Sequence, residues 1–146
     1  MLEPVVVFLR LAQYAGAAVL FGAALLNLRA PPMYEQTTPT CSPGSRRLLM
    51  ASATLILVAS VLGLLAQTSV LAGSLSEGLQ IGSLSAAVTT MAFGPSSLVR
   101  AAAAAGALFV GAALPMGRRL HATCTLLGAV ILGSFAWMGH GAATRG

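Results

Sequence analysis

Lysine and aspartate are absent from this 146-residue chain, which has only three glutamates, two histidines, two cysteines and one tryptophan. Each shortage closes a class of function. A phosphate-cradling glycine loop ends in a lysine that this chain does not have. A Ser-His-acid triad needs its members within hydrogen-bond reach. Glu3, Glu35 and Glu77 all lie near the ends of apolar stretches, so neither His121 nor His140 has an evident acid partner. Catalysis of the conventional kinds is not expected, and the chain reads as a non-enzyme. Two cysteines give no disulfide framework, and both are expected to face lipid or a reducing compartment.

The charged residues amount to 8% of the chain and the hydrophobic ones to 57%. That is too little polar surface for a water-soluble domain of this size, so a lipid bilayer must be the solvent. A hydrocarbon core of roughly 30 Å takes about 20 helical residues to cross. Four stretches approach or exceed that length: Val5 to Leu28, Leu48 to Ala72, Leu98 to Leu114 and Leu120 to Trp137. The expected fold is an all-α membrane protein, one domain over residues 1–146, built as a four-transmembrane-helix bundle. Glu3 and Pro4 precede the first apolar run where a cleaved signal peptide would carry basic residues, so that helix is expected to be retained as an anchor.

The eight arginines set topology rather than binding of nucleic acid. Arg29, Arg46 and Arg47 flank the 29–47 loop, and Arg118 and Arg119 fill the turn before the fourth span. The 73–97 connection has no basic residue and carries Glu77. The positive-inside rule then puts the arginine-flanked loops in the cytoplasm and both termini outside, with the 73–97 connection, His140 outward and His121 inward.

Arg10 and Arg100 each lie a short way into the outward end of an odd-numbered span. Long stems lying along the helix with the guanidinium at the interface are the simpler expectation. The alternative places both charges inside the bundle, holding a carboxylate or helix-end carbonyls.

In the outward connection, Ile81, Leu84, Val88 and Met91 recur at helical spacing opposite Ser83, Ser85 and Thr89, which predicts an amphipathic helix lying on the membrane or capping the bundle. Gly94-Pro95 is expected to end it, with Ser96 or Ser97 capping the third span. Ala18 with Gly22, Ala101 with Ala105, and Ala129 with Gly133 offer small-residue contacts between helices.

Haem between membrane histidines is a poor fit, because nineteen residues separate His121 from His140, roughly 28 Å along a continuous helix. Copper fits the donors better, since Cu(I) favours thioether, thiolate and imidazole and the chain has six methionines beside its cysteines and histidines. On the outer side stand His140, Met138 and Met91. Met138 and His140 diverge on a helix but chelate together if it unwinds at Gly139 and Gly141. On the inner side His121 and Cys124 share a helix face, with Met116, Cys41 and Met33 nearby in sequence or in the facing loop. Ordinary core packing accounts for most such residues as well.

Three stretches carry a family resemblance: Arg10-x-x-x-Tyr14 leading to Leu20-Phe21-Gly22, Thr90-x-x-Phe93-Gly94 followed by Arg100, and Ser134-Phe135-Ala136-Trp137-x-Gly139-His140. They resemble the amino-terminal half of the copper resistance protein D membrane family. That resemblance implies a protein of the bacterial inner membrane involved in copper uptake or tolerance and working with periplasmic copper carriers. It also implies that His140, which matches the family's Gly-His motif, is the foremost candidate ligand; Met138 and Met91 are added from their positions. The family continues into further membrane helices, so the chain is expected to be a fragment, a split subunit that needs a second membrane subunit or another copy, or a short relative that has lost transport. A structural subunit that packs against a partner through its small-residue faces is the alternative function.

Overall fold

The computed structural model describes residues 3–29, 43–91 and 93–143; for residues 3, 43 and 137–143 only the backbone is described. Six helices follow in order: α1 Glu3–Arg29, α2 Pro43–Ala72, α3 Leu75–Gly78, α4 Ile81–Thr90, α5 Phe93–Ala113 and α6 Arg118–Ala143. No strand occurs among the described residues. α1, α2, α5 and α6 are long and apolar enough to cross a membrane. The fold is an all-α, four-helix membrane bundle, as the four apolar stretches imply.

Neighbours around the bundle run α1, α2, α5, α6 and back to α1. Side-chain contacts fix each pair as antiparallel. Tyr14 meets Phe135 and Phe21 lies against Gly128, so α1 and α6 run in opposite directions. Gln13 reaches Ala59 while Gly16 lies against Ile56, which does the same for α1 and α2. One end of the bundle therefore holds Arg29, Arg46, Arg47, Arg118 and Arg119, and the other holds α3, α4 and the last turns of α6. At the arginine end, Arg46 Nη2 donates to the Ala112 carbonyl at 3.1 Å, satisfying one of the acceptors that every helix leaves open in its last turn.

The connection between α2 and α5 is helical, as its periodicity predicts, but its inward face differs from the expected stripe. Ala87 is buried and Leu84 and Val88 are partly so, whereas Ile81 and Met91 are exposed. Gly73 turns the chain out of α2 at φ +78°, a conformation that side chains disfavour. Two other glycines allow close docking. A Cβ on Gly78 would strike the Ser69 backbone of α2, and one on Gly94 would strike the Ala87 carbonyl and Val88 of α4.

Two local expectations are corrected. α5 starts at Phe93, so Gly94, Pro95, Ser96 and Ser97 all lie within its first turns rather than ahead of it. Pro95 is tolerated there because the first turn has no intrahelical acceptor for its missing N–H. Ser96 donates to the Phe93 carbonyl instead of capping amides. The small-residue pairs also face outward: Ala18, Ala105, Ala129 and Gly133 are exposed, and a Cβ on Gly22 or Gly133 would meet nothing within 4 Å. The bundle is closed by other positions, Ala17, Leu20 and Ala24 on α1 and Ala103, Ala104, Ala107 and Gly111 on α5.

Candidate functional site

Arg100, eight residues into α5, is the largest of the fully buried side chains, with 1% of its surface exposed. Snorkelling is thereby overturned for Arg100 but not for Arg10, which is exposed. The two arginines sit at like depths, yet α5 turns its charge inward and α1 turns its charge out. Arg100 Nη2 donates to Ser97 Oγ at 3.0 Å, and the guanidinium carbon lies 4.7 Å from the centre of the Phe135 ring. Nε and Nη1 are buried with no hydrogen-bond partner. The ring of Tyr14 also lies against Phe135, its centroid at 4.2 Å and its plane tilted by 35°. A layer of guanidinium, phenyl and phenol thus runs across α5, α6 and α1 about 10 Å inside the connection end of the bundle.

A charge inside the membrane without a carboxylate is costly, about 2.5–3.5 kcal/mol on insertion scales. Here a hydroxyl and a ring face supply the compensation. Gln13, also buried, ties the same half of the bundle together by donating to the Ala59 carbonyl at 2.8 Å. Gln13 is not among the site residues expected from sequence. An amide in an otherwise apolar helix turn was the available signal, because an amide in hydrocarbon must find a partner.

The outer copper candidates stand at this end. Met91 is 41% exposed between α4 and α5. The side chains of Met138 and His140, and that of Trp137, lie outside the described residues. Their backbone is described, and it is helical through Ala143. The helix does not unwind at Gly139 and Gly141, so positions 138 and 140 fall about 200° apart around α6. A chelate formed by that pair on an unwound tail is therefore not supported by the backbone. His140 stays in the last turn of α6, at the mouth of the bundle.

At the arginine end, His121 and Cys124 do share a face, and it points inward: they are 4% and 1% exposed. His121 Nδ1 lies 2.9 Å from the Gly117 carbonyl, and Nε2 is buried without a partner. Cys124 is a free thiol within the core. Met116 packs partly buried against the same core. Cys41 and Met33 lie outside the described residues. Among the described residues no three His, Cys, Asp or Glu side chains converge as a metal site would require. Because α6 is continuous, His121 and position 140 are roughly 28 Å apart, and one chain does not bring both to one haem iron.

A family model described as copper resistance protein D-like, N-terminal domain, matches residues 1–146. Among curated proteins, the chain is 33% identical over 148 residues to copper resistance protein D of Pseudomonas syringae pv. tomato. The match takes in 99% of this chain and 46% of that relative, so the chain spans about half the relative's length. No solved structure matches.

Proposed function

The chain belongs to the copper resistance protein D-like family, matching its N-terminal domain, and from that we propose an inner-membrane protein that assists copper uptake or tolerance by capturing copper at the periplasmic face. The family match over the full chain is the observation that carries this reading. The arrangement of charge supports the orientation. Five arginines gather at one end and the connection end has Glu77 alone in its loop, so the positive-inside rule favours both termini, the connection and His140 facing outward.

His140 is the ligand to which the reading commits, with Met91 exposed at the same end and Met138 one further thioether on the same helix. One imidazole and a thioether leave a copper ion with open coordination, which suits an ion handed on rather than kept. The donor of such an ion is a periplasmic copper carrier, and a second membrane subunit or a second copy completes the coordination. The role is non-catalytic, and Cu(I) or Cu(II) is cargo. Copper content of the purified chain, with and without His140→Ala, tests the capture site: a fall of at least about tenfold in affinity is expected, and unchanged copper content removes it.

A structural subunit is the second reading, and one observation favours it. Ala18, Gly22, Ala129 and Gly133 present a small-residue surface to the outside of the bundle, where another helix can approach closely. A chain that binds no copper but co-purifies with a membrane partner lost on Gly133→Leu would establish it instead.

A further inference from the structure

We infer that His121 and Cys124 form a second site, buried at the arginine end of the bundle, for a soft monovalent metal ion, Cu(I). The imidazole is already poised for such a role. Its Nδ1 faces the Gly117 carbonyl at 2.9 Å. A carbonyl only accepts, so Nδ1 carries the proton and Nε2 presents its lone pair. That lone pair is buried and meets no donor among the described residues. A metal-ligating histidine has this arrangement, with one nitrogen fixed by a backbone carbonyl and the other free. Three positions on, one turn of α6 along the same face, stands the free thiol of Cys124, 1% exposed. The side-chain bonds of both residues tilt toward the helix N-terminus, so imidazole and thiol stand in parallel on one face, one turn apart.

Charge selects the ion. When Cys124 binds a metal its thiol proton leaves to water, giving one negative sulfur beside one neutral imidazole. With Cu(I) the sum is zero, and a neutral assembly carries little of the cost of an ion in a low-dielectric interior. A divalent ion would leave a net positive charge at the end of the bundle that already holds Arg118 and Arg119, where no carboxylate stands among the described residues. Thiolate with imidazole is also a soft donor set, which Cu(I) prefers over hard cations.

The site takes only its cargo from the copper reading above; it shares no residue with the outer candidates. The test uses the full chain in detergent with Cys41→Ser and His140→Ala, so that the other thiol and the outer imidazole are gone. Cu(I) is supplied without oxygen in competition with bicinchoninate. One bound ion per chain is expected, with one sulfur and one nitrogen neighbour by X-ray absorption and release of one proton. Adding Cys124→Ser or His121→Asn is expected to lower the affinity at least about tenfold. The inference is overturned if the starting chain takes up no copper, if the absorption spectrum shows no sulfur neighbour, or if both added substitutions leave binding unchanged in chains that keep their helical content. Loss of copper on His140→Ala in the otherwise natural chain reports on the outer site alone, so the two readings fail separately.

Discussion

Ser97→Ala tests whether the buried charge of Arg100 is held by the few groups that touch it. The guanidinium has one hydrogen bond, Nη2 to Ser97 Oγ at 3.0 Å, one ring face at 4.7 Å, and two nitrogens with no partner. A hydrogen bond to a charged group contributes about 1.5–3 kcal/mol, more than a neutral one, because its loss leaves the charge desolvated and unmatched. Ser97→Ala removes that bond and nothing bulky, so a loss of about 2 kcal/mol is expected. The ring of Phe135, contributing about 0.5–2 kcal/mol, would then be the remaining compensation. In an Arg100→Met background the same Ser97→Ala should cost under about 0.5 kcal/mol, since the hydroxyl no longer faces a charge and an exchange of this size otherwise has little effect. The difference between the two backgrounds, about 1.5 kcal/mol or more, is the coupling energy of the pair. Reversible unfolding in mixed micelles, followed by helical signal against mole fraction of sodium dodecyl sulfate, measures all four proteins. A Ser97→Ala cost within about 0.5 kcal/mol of zero in both backgrounds would refute the account of how this charge is accommodated.

Gly128→Ala and Gly133→Ala separate the packed face of α6 from its outward face. A Cβ at Gly128 would sit 3.0 Å from Phe21 Cα, so a loss of about 1–3 kcal/mol is expected, while Gly133 meets nothing within 4 Å and should range from neutral to about 1 kcal/mol more stable; the reverse order in the same unfolding assay would place α6 in the wrong rotation. Gly94→Ala should loosen the cap by forcing α4 off α5, seen as faster proteolysis between Gly73 and Met91, whereas Gly82→Ala, with open space around it, should not. Gln13→Leu removes the 2.8 Å bond to the Ala59 carbonyl and is expected to cost about 0.6–1.7 kcal/mol, the usual span for interhelical bonds in membranes. No measurable cost would show that this bond does not join α1 to α2.

The spans were legible because composition decides them: 8% charged residues leave too little polar surface for a water-soluble fold, and each apolar stretch is near the length of a crossing. The rotation of each helix was not legible. In water an apolar stripe marks the inward face, but a helix that lives in lipid is apolar all round and its pattern has no direction. Hence Ala18 and Gly22 looked as suited to packing as Ala17 and Leu20, and only the structure shows that the latter point inward. The same loss hid the difference between Arg10 and Arg100. Arg100 is in register with Ala103, Ala104, Ala107 and Gly111, all buried, whereas Arg10 is in register with Tyr14 and Ala18, both exposed. Polar residues kept some direction, since His121 and Cys124 were read correctly onto one face. The start of α5 departs from expectation for a different reason: Pro95 breaks a helix interior, but in the first turn it is compatible with helix.

The two ends of the bundle interior offer an ion opposite conditions, and this bears on the route copper can take. A bare monovalent cation about 10 Å from Arg100 is repelled by about 2 kcal/mol at an effective dielectric of 20, and more as it approaches. Neither Ser97 nor Phe135 supplies the negative charge that would cancel this. At the other end, roughly 16 Å along α6 from the Phe135 ring that Arg100 faces, the free thiol of Cys124 can give up a proton and neutralise a monovalent ion outright. Under the proposed orientation, copper captured by His140 would therefore be held at the mouth, outside the Arg100 layer, and would not descend the axis of these four helices as a naked ion. Passage would need either an anionic ligand travelling with the metal or a path along the outer surface of the bundle, where Ala18, Gly22, Ala129 and Gly133 leave room for another helix. On the second route the copper proposal and the partner-packing proposal would be parts of one arrangement: the small-residue surface would seat a second membrane element, and the ion would move between that element and the tail of α6.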